Sequence, residues 1–149
     1  MASHTHTKKR SIKAGLPPGT LIHIGEKKAA ASSVTLLDYD ESGVRESDIT
    51  AANLADKVKA ARGTVWVNLH GLSDTAMLEQ IGTSFGLHPL VLEDILNTEQ
   101  RSKLEDYADY LYVVLKTFGY EKKGAVEKID SEQISLVLGK NFVLSFLET

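Results

Sequence analysis

His88-Pro89-Leu90-Val91-Leu92-Glu93-Asp94-Ile95-Leu96-Asn97, continuing Thr98-Glu99-Gln100-Arg101-Ser102-Lys103, is the most informative stretch of the chain. Pro89 predicts the first position of a helix, where its missing N–H costs nothing and its fixed φ suits the first turn. Leu90, Val91, Leu92, Ile95 and Leu96 form a packing stripe, which leaves Glu93, Asp94 and Asn97 on the remaining arc. Two adjacent carboxylates repel each other and interrupt the apolar pattern. On pattern alone they read as the solvated arc of an amphipathic helix. The alternative is a hard-cation site, because Mg2+ takes one or two protein carboxylates and keeps several waters.

Upstream, Met77, Leu78, Ile81 and Phe85 keep helical spacing behind a cap at Ser73 or Asp74, and Gly86 supplies a left-handed stop. Residues 65–69 predict a buried strand running into a His70-Gly71 turn. Residues 50–62 predict a helix with Leu54, Ala55, Val58 and Ala61 as its stripe and Gly63 at its end. Before it, residues 20–25 and 33–39 predict an opening pair of strands, joined by a loop of Lys and Ala. The rigid turn Leu16-Pro17-Pro18-Gly19 leads into the first of them, in which His23 is a strand-face residue rather than a ligand.

Downstream of a polar stretch at 98–103, residues 110–120, 132–138 and 142–147 predict three strands in a meander. The order is ββαβααβββ, an α+β fold with a mixed sheet and helices packed against it. In the last strand Phe142, Leu144 and Phe146 point one way while Val143 and Leu147 point the other. Strands that are apolar on both faces are normally covered on both sides. Three helices are thin cover for such a sheet.

The totals narrow the function classes. A length of 149 residues fits one ordinary domain, and 42% hydrophobic with 25% charged residues is a globular profile. A net charge of -3 gives no basic track for nucleic acid, and Lys8-Lys9-Arg10 reads as part of a solvated tail. With no cysteine, disulfides, thiolate catalysis and zinc-thiolate sites are excluded. The first residues lack the apolar core of a signal peptide, and no stretch approaches the roughly 18 apolar residues of a spanning helix. The expectation is a soluble polypeptide that faces the cytosol, with a disordered tail at residues 1–15 and a domain at 16–149. His4 and His6 in that tail lack carboxylate neighbours and make a poor metal site.

Catalytic patterns are missing from the sequence. It has no G-x-x-x-x-G-K-[ST], G-x-G-x-x-G or H-E-x-x-H, and Gly71-Leu72-Ser73-Asp74 lacks the second glycine of a nucleophile elbow. The chain is expected not to be an enzyme. A small hydrolase using Asp94 as a base would lack any assembled set of partners.

Residues 88–103 resemble the H-P-L-x-x-E-D-[IV]-L-N-x-x-Q-R-P-K stretch of the CorA magnesium and cobalt transporters, with Ser102 in place of the proline. The likeness extends outward. Lys13-Ala14-Gly15-Leu16-Pro17-Pro18-Gly19-Thr20-Leu21 is similar to the family's entry segment, and Val65-Trp66-Val67-Asn68-Leu69-His70-Gly71 to its W-[IV]-N-[IL]-x-G strand and turn. Residues 110–116 and 131–139 resemble the strands that come next. The resemblance implies a three-layer α/β/α cytosolic domain within a funnel-shaped homopentamer, followed by long helices, a pore and a Gly-Met-Asn motif. None of those later parts is in this sequence, so the chain is expected to end before them, with the helices that complete the second layer beyond Thr149.

By position the resemblance assigns Asp94 to a regulatory site for Mg2+ or Co2+ between neighbouring domains. It places Glu93 beside Asp94 and lets Glu99 assist. The remaining ligands would come from a neighbouring subunit, so binding to the isolated chain is expected to be weak or absent. The resemblance thus implies a metal-sensing domain that gates a transporter on the cytoplasmic side of the membrane. The competing expectation is a freestanding cytosolic module that binds protein through its exposed sheet face, or self-associates through it.

Overall fold

In the computed structural model, which describes residues 15–25, 31–123 and 126–149, the first regular element is a hairpin. Strand β1 (Ser33–Asp40) turns through Glu41-Ser42 into β2 (Gly43–Ile49), with Asp40 opposite Gly43. Helix α1 (Leu54–Ala60), strand β3 (Thr64–His70), helix α2 (Thr75–Phe85) and helix α3 (Pro89–Ile95) come next. Strands β4 (Lys103–Asp106), β5 (Tyr110–Lys123), β6 (Val126–Gly139) and β7 (Phe142–Leu147) complete the chain. The seven strands form one sheet in the order β2-β1-β3-β7-β6-β5-β4. Its pairings are antiparallel except β3 with β7, which makes the sheet mixed as the sequence predicts.

Register decides which side chains meet the helices. Leu36, Val67, Leu144, Val137 and Tyr112 lie in one row across five strands, and all are buried. They join one core cluster with Leu54 of α1, Leu78 and Ile81 of α2, and Val91, Leu92 and Ile95 of α3. Burying these side chains is the main stabilising term, at about 25 cal/mol per Å2 of apolar surface removed from water. Trp66, Leu138, Leu111 and Leu104 stand at alternate positions and remain exposed. The described helices therefore cover one face only, and the opposite face is open.

Three elements differ from the sequence expectation. Residues 20–25 are not a strand: only Ile24 pairs, in a parallel bridge to Asn97, held by Ile24 N–H to the Leu96 carbonyl at 2.8 Å and Thr98 N–H to the Ile24 carbonyl at 3.0 Å. Two prolines and two positive-φ glycines, Gly19 at 83° and Gly25 at 123°, bend this segment into a strap across α3. Strands β2 and β4 are legible only as polar sequence, because an edge strand keeps few apolar side chains. The opening β-pair exists, but it is β1 with β2. Residues 1–14 of the tail expected at 1–15, and residues 26–30 of the Lys-Ala loop, lie outside the described residues. Among the described residues, no helix is long and apolar enough to cross a membrane.

Candidate functional site

Local sequence sets α3 at a fixed angle on the core. Helix α2 begins at Asp74, whose carboxylate accepts the Met77 N–H at 2.9 Å, and ends at left-handed Gly86. After Leu87, the His88 ring nitrogen Nδ1 accepts the Leu90 N–H at 3.2 Å, and Pro89 starts the helix. The Tyr110 hydroxyl accepts the His88 N–H at 2.9 Å, which ties this start to β5. With Val91, Leu92 and Ile95 buried, the 100° step per residue turns Glu93 and Asp94 outward, and both are half-buried.

Each carboxylate has a different partner. Glu93 Oε2 accepts the Gly19 N–H of the strap at 2.8 Å. Asp94 faces the other way, towards β4: Gln100 Nε2 donates to its Oδ1 at 2.5 Å, and Lys103 Nζ to its Oδ2 at 2.5 Å. Lys103 also donates to Glu105 Oε1 at 2.9 Å, and its ammonium lies 5.4 Å from the centre of the Tyr112 ring. Burial works against this ammonium, but the bonds to Asp94 and Glu105, with their charges, outweigh it and raise its pKa above the ordinary lysine value. Burial also holds the Tyr112 phenol well above its usual range, so it stays neutral beside the cation.

Glu99 is not brought into this group. It is exposed and lines a separate cleft of about 170 Å3 with Lys116, Glu132 and Glu148. Sequence reasoning missed Gln100, Lys103 and Glu105. Lys103 lies nine residues beyond Asp94, outside any helical spacing, so only the α3-to-β4 connection brings it back. His23 also differs from its expected role on a strand face. Its Nε2 meets Glu148 Oε2 at 3.0 Å, with both side chains 4% exposed, and fastens the strap to the end of β7.

The donors at Glu93 and Asp94 are hard oxygens, which suit Mg2+ in kind. In number they fall short of a shell, and no cluster of three or more His, Asp or Glu side chains able to hold a metal ion occurs among the described residues.

The model of the CorA-like Mg2+ transporter proteins matches residues 61–149. The cobalt/magnesium transport protein CorA of Thermotoga maritima is 40% identical over 141 residues, which is 95% of this chain and 39% of that protein. The soluble domain of CorA from Methanocaldococcus jannaschii superposes with a TM-score of 0.51 at 13% identity, over 78% of this chain and 40% of that one. The full-length CmaX protein superposes with a TM-score of 0.54 at 18% identity, over 77% and 34%. The chain spans well under half the length of these relatives, and the two structural likenesses speak for the fold. Both a family model covering the helix–strand core from Ala61 onward and 40% identity along nearly the whole chain bear on one conclusion: this chain belongs to the CorA-like Mg2+ transporter family.

Proposed function

We propose that residues 16–149 act as the cytosolic, metal-sensing domain of a Mg2+ or Co2+ transporter, and that the domain gates a homopentamer rather than catalysing a reaction. The observation that carries this is the acidic step itself: Glu93 and Asp94 stand half-buried on the outward arc of α3, beside the strap and β4. Membership of a Mg2+ transporter family and the similarity to a cobalt/magnesium transport protein support it.

A bound divalent ion supplies positive charge between carboxylates of adjacent protomers. This chain contributes Asp94 as the principal ligand, with Glu93 beside it. Glu99 contributes only if a neighbour's approach spans the separate cleft in which it lies. Without that charge the facing carboxylates repel, and the protomers part. Metal occupancy and closure then share one coupling free energy, about 1–3 kcal/mol for a typical allosteric pair. The open sheet face is apolar surface of the kind that packs against further helices in a longer chain, and in isolation it favours self-association.

Asp94→Ala or Asp94→Lys in the full-length protein tests the assignment. Mg2+ protection against limited proteolysis is expected to be lost or moved to much higher concentration. Unaltered protection in both variants overturns the metal-sensing role of Asp94.

A further inference from the structure

Helix α3 has no basic residue in its last turn, yet Glu93 and Asp94 both fall there, against the negative end of the helix dipole. Such a terminus calls for a cation, and the chain brings one from another element. Lys103, on β4, is 27% exposed and Asp94 28%, with Nζ shared between Asp94 Oδ2 at 2.5 Å and Glu105 Oε1 at 2.9 Å. Lys103 and Glu105 are two apart on the strand, so both point to the helix side of the sheet. The Tyr107 hydroxyl donates to the other oxygen of Glu105 at 3.3 Å, which fixes that carboxylate. Gln100 holds Asp94 through its Oδ1, independently of the ammonium.

We propose that Lys103 is the resident counter-cation of Asp94, and that a divalent cation reaches Asp94 by exchange with this ammonium, which withdraws to Glu105. The inference rests on the metal-sensing role of Asp94 and deepens it. Exchange is cheap for two reasons. After leaving Asp94 the ammonium keeps a carboxylate partner and the Tyr112 ring, so no charge is stranded. A partly solvated ion pair is also weak, contributing up to about 1 kcal/mol. Lys103 therefore sets the concentration at which the site fills without blocking it. Glu93 stays out of the exchange, because the Gly19 N–H engages it from the strap side.

The test is the Mg2+ midpoint for protection against proteolysis in the full-length protein, measured alongside calorimetric Mg2+ titration. Lys103→Met is expected to lower both midpoints about two- to five-fold, the factor corresponding to a pair of that strength. Lys103→Arg, which keeps the charge, is expected to stay nearer the parent. Glu105→Gln removes the place to which the ammonium retreats and is expected to raise the midpoint, whereas the lowered midpoint of Lys103→Met is the shift that loss of folding cannot imitate. Lys57→Met, which makes the same charge change on exposed α1, is the control. If Asp94→Ala abolishes protection while Lys103→Met leaves the midpoint in place, or Lys57→Met moves it equally, the exchange is wrong and the sensor survives. If Asp94→Ala leaves protection intact, the sensor itself fails and the exchange with it.

Discussion

Asp38 lies on the helix-covered face of β1 and is 7% exposed, which leaves a carboxylate little water to turn to. Its oxygens instead receive Arg45 Nε and Nη2 at 3.1 and 2.8 Å, and the backbone N–H groups of Arg62 and Gly63, each at 3.2 Å. The Arg45 bond, ahead of the backbone donors, holds the Asp38 carboxyl below its ordinary range despite burial. Asp40 is lowered to about 2 by the Ser42 hydroxyl and N–H, then by Arg45. Groups depressed on folding contribute stability that is present above the unfolded value of 3.8 and lost as pH falls through the folded one. Thermal unfolding temperature is thus expected to fall between about pH 4 and about pH 2, and Asp38→Asn is expected to flatten that fall. An Asp38→Asn profile parallel to the parent's would show that the carboxylate is not responsible. The sequence offers Asp38 only as one residue of a strand and gives no sign of its donors. The acidic step is similar: Glu93 and Asp94 are conspicuous by composition, while Gly19, 74 residues away, and Lys103 are visible only once folded.

Helices and central strands are legible in the sequence because their periodicity is enforced by burial. Residues 75–85 and 89–95 keep apolar side chains at helical spacing, and Gly86 and Pro89 punctuate them as the sequence predicts. Helix α1 is shorter than its pattern, because Ala55 is exposed and only Leu54 of the stripe is fully buried. The passage from α1 into β3 depends on a close approach that no pattern encodes. A Cβ on Gly63 would stand 2.0 Å from the Tyr39 carbonyl oxygen and 2.8 Å from its carbon. Backbone cannot swing aside as a side chain can, so Gly63→Ala must separate the end of β1 from the start of β3. Overpacking of this kind costs about 1–3 kcal/mol, and a drop of several degrees in unfolding temperature is expected. Gly119→Ala, where an added Cβ meets nothing within 4 Å, is the matched control and is expected to leave stability unchanged or slightly higher. Equal unfolding temperatures for the two variants would mean that the Tyr39–Gly63 approach is not real.

Among the described residues, the sheet has one face packed and one face open, although its central strands carry apolar side chains on both. Pairing sets Leu111 opposite Leu138 on the open side, at 38% and 41% exposure, with Trp66 at 41% further along it. This face is also ordered: Trp66 Nε1 donates to Ser145 Oγ at 2.8 Å, and Ser145 Oγ donates to Asn68 Oδ1 at 2.5 Å, so its polar groups are already joined across β3 and β7. An apolar surface with its own hydrogen bonds satisfied gains by being covered and loses little by being flat. The 149-residue chain is accordingly expected to sediment as concentration-dependent dimers or larger species. Leu111→Glu combined with Leu138→Lys places opposite charges at a paired position, which keeps the strands together while making the face polar. That double variant is expected to sediment as a monomer with an unfolding temperature close to the parent's. A parent chain that is monomeric throughout the concentration series refutes self-association. A double variant that still associates moves the contact elsewhere, with the β5–β6 hairpin the next place to look, since Phe118, Tyr120 and Ile129 stand exposed together near its tip.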